Sequence, residues 1–280
     1  MKPLFRWTIG DTTLAGVDVL RASVSYALRV FGRDRFDWVV CSNAKENHHR
    51  VRQLSEKFGI GFHQATWDDF PLDVSTSSTD KRVHCHDTPG YDTFWKVCPP
   101  RMRLGAHEII VDNDIIFQRE PPEIEEFLNS RSTLMVKEVA EAHGKYFESF
   151  EEGETYNSGI LGLPPDFDFG HNIRKAWKEL GGFDALGCRD EQGLLTYVLK
   201  QCPHIDLSSD RVISLMTHGR AEFVEHEVLM EVGKQVKAVK KIEAMPYRFS
   251  GSEYAIHFQG VNRFTHHYWL KYLEMATISV

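Results

Sequence analysis

The chain has 280 residues, 42% of them apolar and 26% charged, which is the composition of an ordinary globular protein with apolar side chains enough for a sizeable core. A formal net charge of -7 argues against broad nucleic-acid binding, and a phosphate-bearing substrate would then need local cations or a metal ion. Met1 to Gly10 lacks the basic stretch and long apolar run of a secretory signal, and no segment approaches the ~18 consecutive apolar residues of a membrane span.

Leu4 to Ile9 is β-prone and apolar, and Gly10-Asp11-Thr12-Thr13 follows as a turn. Val17, Leu20, Val24 and Leu28 fall on one helical face, which predicts a helix over 15–31. Phe36 to Cys41 reads as a second strand, and 45–58 as a second helix with Val51, Leu54 and Phe58 at helical spacing. This β-α-β-α order predicts a mainly parallel sheet with crossover helices. Residues 68–90, rich in Asp, Ser and Thr and containing Pro71 and Pro89, read as a long loop, a kind that tends to be functional or mobile. Trp95 to Leu104 starts as a helix and is interrupted by Pro99-Pro100. Glu108 to Val111 is a buried-strand run that ends on Asp112-Asn113-Asp114, and Ile115 to Phe117 resumes the apolar character.

Beyond that point a helix is expected over 122–129, a strand from Ser132 to Val139, and polar irregular chain over 141–154. Ser158 to Leu163 reads as a strand, 170–180 and 190–201 as helices, 204–258 as short strands with loops, and 266–276 as a helix. Cys41, Cys85, Cys98, Cys188 and Cys202 are odd in number and form no CxxC, so free thiols in a reducing compartment are expected. The location expected is cytoplasmic, with room for a peripheral role at a membrane. His84-Cys85-His86 has no partner cluster at ligand spacing and reads as loop.

The acidic triplet carries the chemistry. Ligands of parallel α/β sheets bind beyond the carboxyl ends of the strands. Side chains two apart in extended chain point the same way, so Asp112 and Asp114 can converge on one cation. Carboxylates suit Mg²⁺ or Mn²⁺, which share their remaining positions with substrate phosphates. The same triplet is also good turn chemistry.

Five motifs in order resemble the GT-A fold glycosyltransferases, and among them the retaining family 8 that includes glycogenin and the lipopolysaccharide galactosyltransferases. They are Thr93-Phe94-Trp95-Lys96, Asp112-Asn113-Asp114, Tyr156-Asn157-Ser158-Gly159, Glu191-Gln192-Gly193-Leu194-Leu195, and His257-Phe258-Gln259-Gly260 followed by Arg263. The resemblance spans nearly the whole chain. It implies a Rossmann-like three-layer α/β/α sandwich with a mainly parallel central sheet, forming a single domain over 1–280. The nucleotide-binding half would be about 1–118 and the acceptor half about 119–280.

The resemblance also assigns roles. Asp112, Asp114 and His257 would bind Mn²⁺ or Mg²⁺, and an imidazole ligand favours manganese. Thr8, Gly10, Lys96, Asp112, Asn113, Gln192, Gly260 and Arg263 would bind the nucleotide sugar. Glu191, Asp190 and Asn157 would serve the reacting centre. The donor would be a nucleotide diphosphate sugar, most simply a UDP-sugar, and the acceptor a glycan, lipid-linked sugar, protein or small molecule of unassigned identity. The sequence departs from the family at Thr13 and Leu14, where a base-stacking tyrosine is usual, and at Arg263-Phe264-Thr265, where Lys-Pro-Trp is usual. The alternatives are a sugar nucleotidyltransferase, whose basic Gly-rich N-terminal loop is missing from Gly10 to Thr13, and a non-catalytic sugar-nucleotide-binding protein.

Overall fold

The computed structural model describes residues 1–10, 12–42, 48–66, 69, 72, 96–139, 143–180, 190–215, 223–232, 235–244 and 250–258; of 145, 147, 190, 223–232 and 235–244 it describes the backbone alone. Strands β1 (Leu4–Ile9), β2 (Asp37–Ser42), β3 (Gly61–Gln64) and β4 (Glu108–Asp112) lie parallel, joined by α1 (Leu14–Phe31) and α2 (His48–Phe58). After β5 (Ile115–Phe117) and α3 (Pro122–Leu128) come β6 (Thr133–Lys137) and β7 (Tyr156–Leu163). Two helices follow, α4 (Phe169–Glu179) and α5 (Asp190–Lys200), then β8 (His204–Leu207) and β9 (Val212–Ser214). The described residues end with β10 (Phe223–Val232), β11 (Gln235–Ala244) and β12 (Ala255–His257).

The central sheet has seven strands in the order β3-β2-β1-β4-β7-β6-β8. Only β7 is reversed: it pairs antiparallel with β4 and β6, whereas β6 and β8 are parallel. The strand alternation sorts side chains onto two cores. Phe5, Trp7, Ile109 and Val111 face α1, α2 and α3, with Leu20, Val24, Leu54, Ile124 and Phe127 against them. Ile110, Met135, Leu161 and Leu163 face the other way, onto Phe169 and Ile173 of α4 and Leu194 and Leu195 of α5. These are the layers of an α/β/α sandwich. A second sheet, β5-β12-β9, lies at the end of β4, and β10 and β11 form a hairpin of their own.

Local chemistry fixes the first crossover. The Thr13 hydroxyl accepts from the Gly16 N–H at 3.2 Å and caps α1. Gly32, with φ of 78°, ends the helix where a side chain would be strained. Trp7 Nε1 donates to Ser23 Oγ at 3.0 Å, and that hydroxyl donates to the Ile115 carbonyl at 2.5 Å, so α1 is tied to β1 and β5 through one serine. Around them the Phe5 ring lies 4.9 Å from both Trp7 and Trp38, within the range of favourable aromatic pairs.

On the opposite face β1 and β4 bury an ion pair. Arg6 Nε stands 2.9 Å from Glu108 Oε1, and both side chains are fully buried. Arg6 Nη1 also lies 3.9 Å from Cys41 Sγ on β2, and the other bonds of the pair go to irregular chain. Arg6 Nη1 donates to the Pro99 carbonyl at 2.6 Å, and Glu108 Oε2 accepts from the Met102 and Arg103 N–H groups at 3.0 and 3.3 Å. Arg101 Nε lies 3.8 Å from the same carboxylate. The segment after Lys96 is thereby fastened to the sheet without regular secondary structure.

The second helix, expected over 45–58, is present from His48 to Phe58, residues 43–47 lying outside the described residues. Three details differ from the sequence expectation. Lys96 and Val97 form a 3-10 turn, not a helix start, because Pro99 and Pro100 follow at once. Strand β7 begins two residues early, at Tyr156, and β10 and β11 are ten residues each rather than short. The expected helix over 266–276, and the 68–90 loop apart from Asp69 and Leu72, lie outside the described residues, as does His84-Cys85-His86. Among the described residues, no helix is long and apolar enough to cross a membrane.

Removing one member of a buried pair strands the other's charge, so Arg6→Met should cost about 3–5 kcal/mol of unfolding free energy in a denaturant titration. Adding Glu108→Gln removes the stranded charge yet keeps an acceptor for Met102 and Arg103, and most of the loss should return. A single-variant cost under about 1 kcal/mol would show that the pair is not electrostatically coupled.

Candidate metal and nucleotide-sugar site

Asp112 is the last residue of β4, registered with Thr8 at the end of β1, so both stand at the carboxyl edge of the sheet. Asn113 forms the turn that follows, and Asp114 leads into β5, whose three residues are fully buried. Strand β12 pairs with β5 so that His257 is registered with Ile115, and the Phe258 N–H donates to the Asp114 carbonyl at 3.0 Å. The chain is thus turned back on itself to set His257 opposite both aspartates. His257 Nε2 lies 3.3 Å from Asp114 Oδ1 and 3.7 Å from Asp112 Oδ2. One ligand atom from each residue falls within 4.8 Å of the others, and Asp114 and His257 are buried. Burial opposes charge on His257, but the carboxylates of Asp114 and Asp112 outweigh it and raise the imidazole pKa. Two carboxylates and one imidazole form a donor set suited to a hard divalent cation that tolerates nitrogen.

Lys96 sits beside this group. Its Nζ lies 3.2 Å from Asp112 Oδ2, 3.3 Å from Glu191 Oε1 and 2.9 Å from Ser158 Oγ. Burial works against the ammonium, yet Asp112 and Glu191 hold it well above the ordinary lysine pKa, so it stays charged. Glu191, in the first turn of α5, is also buried, and burial pushes its carboxyl up; the Lys96 ammonium offsets only part of that. Its Oε2 has no hydrogen-bond partner among the described residues. Gln192 Oε1 accepts from both the Ser158 N–H and the Ser158 hydroxyl, at 3.2 and 3.3 Å.

The start of β7 supplies the remaining wall. Asn157 Nδ2 donates to Glu138 Oε2 at 3.1 Å, and Asn157 Oδ1 accepts from the Gly159 N–H at 2.6 Å. The structure therefore brings Asp112, Asp114, His257, Lys96, Glu191 and Gln192 into one chain of contacts, with Thr8 registered beside Asp112. Asn157 is engaged by Glu138 and Gly159. Gly10 follows β1 at the same edge of the sheet. Gly260 and Arg263 lie outside the described residues, and of Asp190 only the backbone is described.

Two participants were not singled out from the sequence. Ser158 links Lys96 to Gln192, and its only signal was a place inside an Asn-Ser-Gly segment. Glu138 comes two residues after the apolar Leu134-Met135-Val136, with Lys137 between, so it lacks the direct strand-to-acid junction that marks Asp112 after Ile109-Ile110-Val111.

The architecture is shared with known proteins. The galactosyltransferase LgtC, solved in complex with donor and acceptor sugar analogues, superposes with a TM-score of 0.58 over 98% of this chain and 95% of its own, at 10% identity. An active-site mutant of LgtC gives 0.61 with the same coverage and identity. Mouse xyloside xylosyltransferase 1, in its apo form, gives 0.51 at 14% identity over 78% of this chain and 88% of its own. No protein-family model and no curated protein matches the sequence. The chain has the GT-A glycosyltransferase fold. In that fold it resembles the galactosyltransferase LgtC from end to end.

Lys96 offers a test of this electrostatic arrangement. A carboxyl whose folded pKa exceeds its unfolded value costs stability at higher pH, and the cost vanishes below the unfolded value. Lys96→Met removes the cation that offsets Glu191 and moves that carboxyl further up. The variant should melt well below the parent at neutral pH, and the gap should narrow as pH falls toward 4.5, the ordinary value of this carboxyl. A gap independent of pH would mean that Lys96 does not govern the charge on Glu191.

Proposed function

We propose that the protein transfers a hexose from a nucleotide diphosphate sugar, a UDP-sugar in the simplest case, to an acceptor hydroxyl with retention of anomeric configuration. The observation that carries this reading is the convergence of Asp112, Asp114 and His257 beside Lys96, at the carboxyl edge of a GT-A sheet. The donor atoms fit Mn²⁺ or Mg²⁺, held by those three residues. When bound, such an ion supplies charge stabilisation to the diphosphate as it departs.

The chain's own residues do the rest. Thr8, Gly10 and Asn113 line the nucleotide at the ends of β1 and β4, in the half that runs to about residue 118. Lys96 adds a fixed positive charge next to Asp112, and Gly260 and Arg263 complete the diphosphate contacts, arginine through its planar fork. Glu191, Asn157 and Gln192 serve the donor sugar, with Asp190 as a further candidate beside Glu191. The acceptor hydroxyl enters from the other half of the chain and attacks on the face the leaving group vacates, its proton passing to the departing diphosphate oxygen. No protein nucleophile is needed in this scheme; a covalent route would place Glu191 or Asp190 against the anomeric carbon. The odd count of five cysteines without a CxxC supports a reducing, cytoplasmic compartment for the reaction.

Thermal unfolding against a panel of nucleotide diphosphate sugars, with and without Mn²⁺, tests the reading. A donor that binds only the folded chain stabilises it by ~2.7 kcal/mol at a hundredfold excess over its dissociation constant. One donor should raise the midpoint only with metal, and Asp114→Ala should abolish the rise. A donor that binds without turnover would favour a non-catalytic sugar-nucleotide-binding protein. No response to any donor would overturn the proposal.

A further inference from the structure

Strand β7 holds two glycines in places where a side chain has no room, and they face different surroundings. A Cβ on Gly162 would stand 2.5 Å from Leu134 Cβ and 2.9 Å from the Phe127 ring, inside the core. A Cβ on Gly159 would stand 2.7 Å from His257 Cε1, 2.9 Å from His257 Nδ1 and 2.7 Å from Asn157 Oδ1. Real Cβ atoms essentially never approach that closely. The His257 ring is therefore confined between the β7 backbone on its Nδ1 and Cε1 edge and the two aspartates on its Nε2 edge. It cannot retreat by local adjustment, since its backbone is held by pairing to β5 and β9 and by the Leu215 N–H, which donates to the His257 carbonyl at 3.1 Å.

We infer that Gly159 is a positioning residue of the metal centre: the space left by its missing side chain is where the His257 imidazole stands, and that space keeps Nε2 aimed at Asp112 and Asp114. The inference rests on the metal reading above. Gly159 also donates its N–H to Asn157 Oδ1, so one glycine sets both the ring and the neighbouring amide. A methyl group there tilts the imidazole out of line. Residues that orient a metal ligand typically contribute 10–100-fold in metal affinity.

The experiment measures Mn²⁺ affinity from the electron paramagnetic resonance signal of the free ion, alone and with UDP present, on four proteins: the parent, Gly159→Ala, Gly162→Ala and Asp114→Ala. Gly159→Ala should bind Mn²⁺ about 10-fold or more weakly. Gly162→Ala should melt lower but bind like the parent, because its crowding lies in the core. Parent-like affinity in Gly159→Ala overturns the inference while leaving the metal reading intact. Equal binding by parent and Asp114→Ala overturns the metal reading, and the inference with it. A thermodynamic cycle covers poor folding of Gly159→Ala. In a His257→Ala background the ring is gone, so Gly159→Ala should lower the melting midpoint by less than half as much as in the parent. If the two changes add independently, the crowding does not involve His257 and the inference fails.

Discussion

The ion pair buried between β1 and β4 is the constraint on which the site depends. Arg6 and Glu108 sit on the two strands whose carboxyl ends carry Thr8 and Asp112. Beyond the pair itself they bind Pro99, Met102 and Arg103, in a stretch that makes no sheet or helix. A pair of apolar side chains of similar volume would serve stability as well or better, given the desolvation cost of two buried ions. What an apolar pair could not do is bind three particular backbone groups. The pair sets the height and course of the chain leaving Lys96, and Lys96 Nζ reaches three partners within 3.3 Å.

At the edge of the sheet the balance of charge is close. Three carboxylates, Asp112, Asp114 and Glu191, share Lys96 and His257. Burial opposes the charged form of all three titratable groups, and their neighbours decide the outcome. Asp112 and Glu191 hold Lys96 toward the charged form, Asp114 and Asp112 do the same for His257, and burial drives Glu191 toward the neutral form against the partial offset of Lys96. The position of Glu191 in the first turn of α5 moderates this, since the positive end of the helix favours the anion.

Much of this was legible in the sequence because short-range patterns carry it. The run Glu108 to Val111 into Asp112-Asn113-Asp114 announces a buried strand ending in ligands, and the β-α-β-α order announces parallel pairing. Other features depend on partners far away in the chain. Arg6 stands in Leu4-Phe5-Arg6-Trp7, where nothing local signals that Glu108, 102 positions on, will neutralise it. Glu138 and Asn157 meet because β6 and β7 pair out of strict register, with an irregularity between Leu134 and Val136, and no local pattern encodes that. The roles of Gly159 and Ser158 were hidden for a different reason: both lie in a strand with good apolar character, where small residues look like neutral filling.

The reversal of β7 explains how such scattered residues meet. In a wholly parallel sheet only strand ends gather at the carboxyl edge. An antiparallel strand brings its beginning there instead, and Val111 is registered with Ile160, so the residues just before Ile160 lie alongside Asp112. The first residues of β7, Asn157 to Gly159, are thus delivered to the point where β4 ends. The start of α5 reaches the same place, since Gln192 accepts from Ser158 and Glu191 meets Lys96. Strand β12, turned against β5, then closes the remaining side with His257. The site is the meeting place of two strand ends, one strand start and one helix start, and each needs a small or polar residue at its tip.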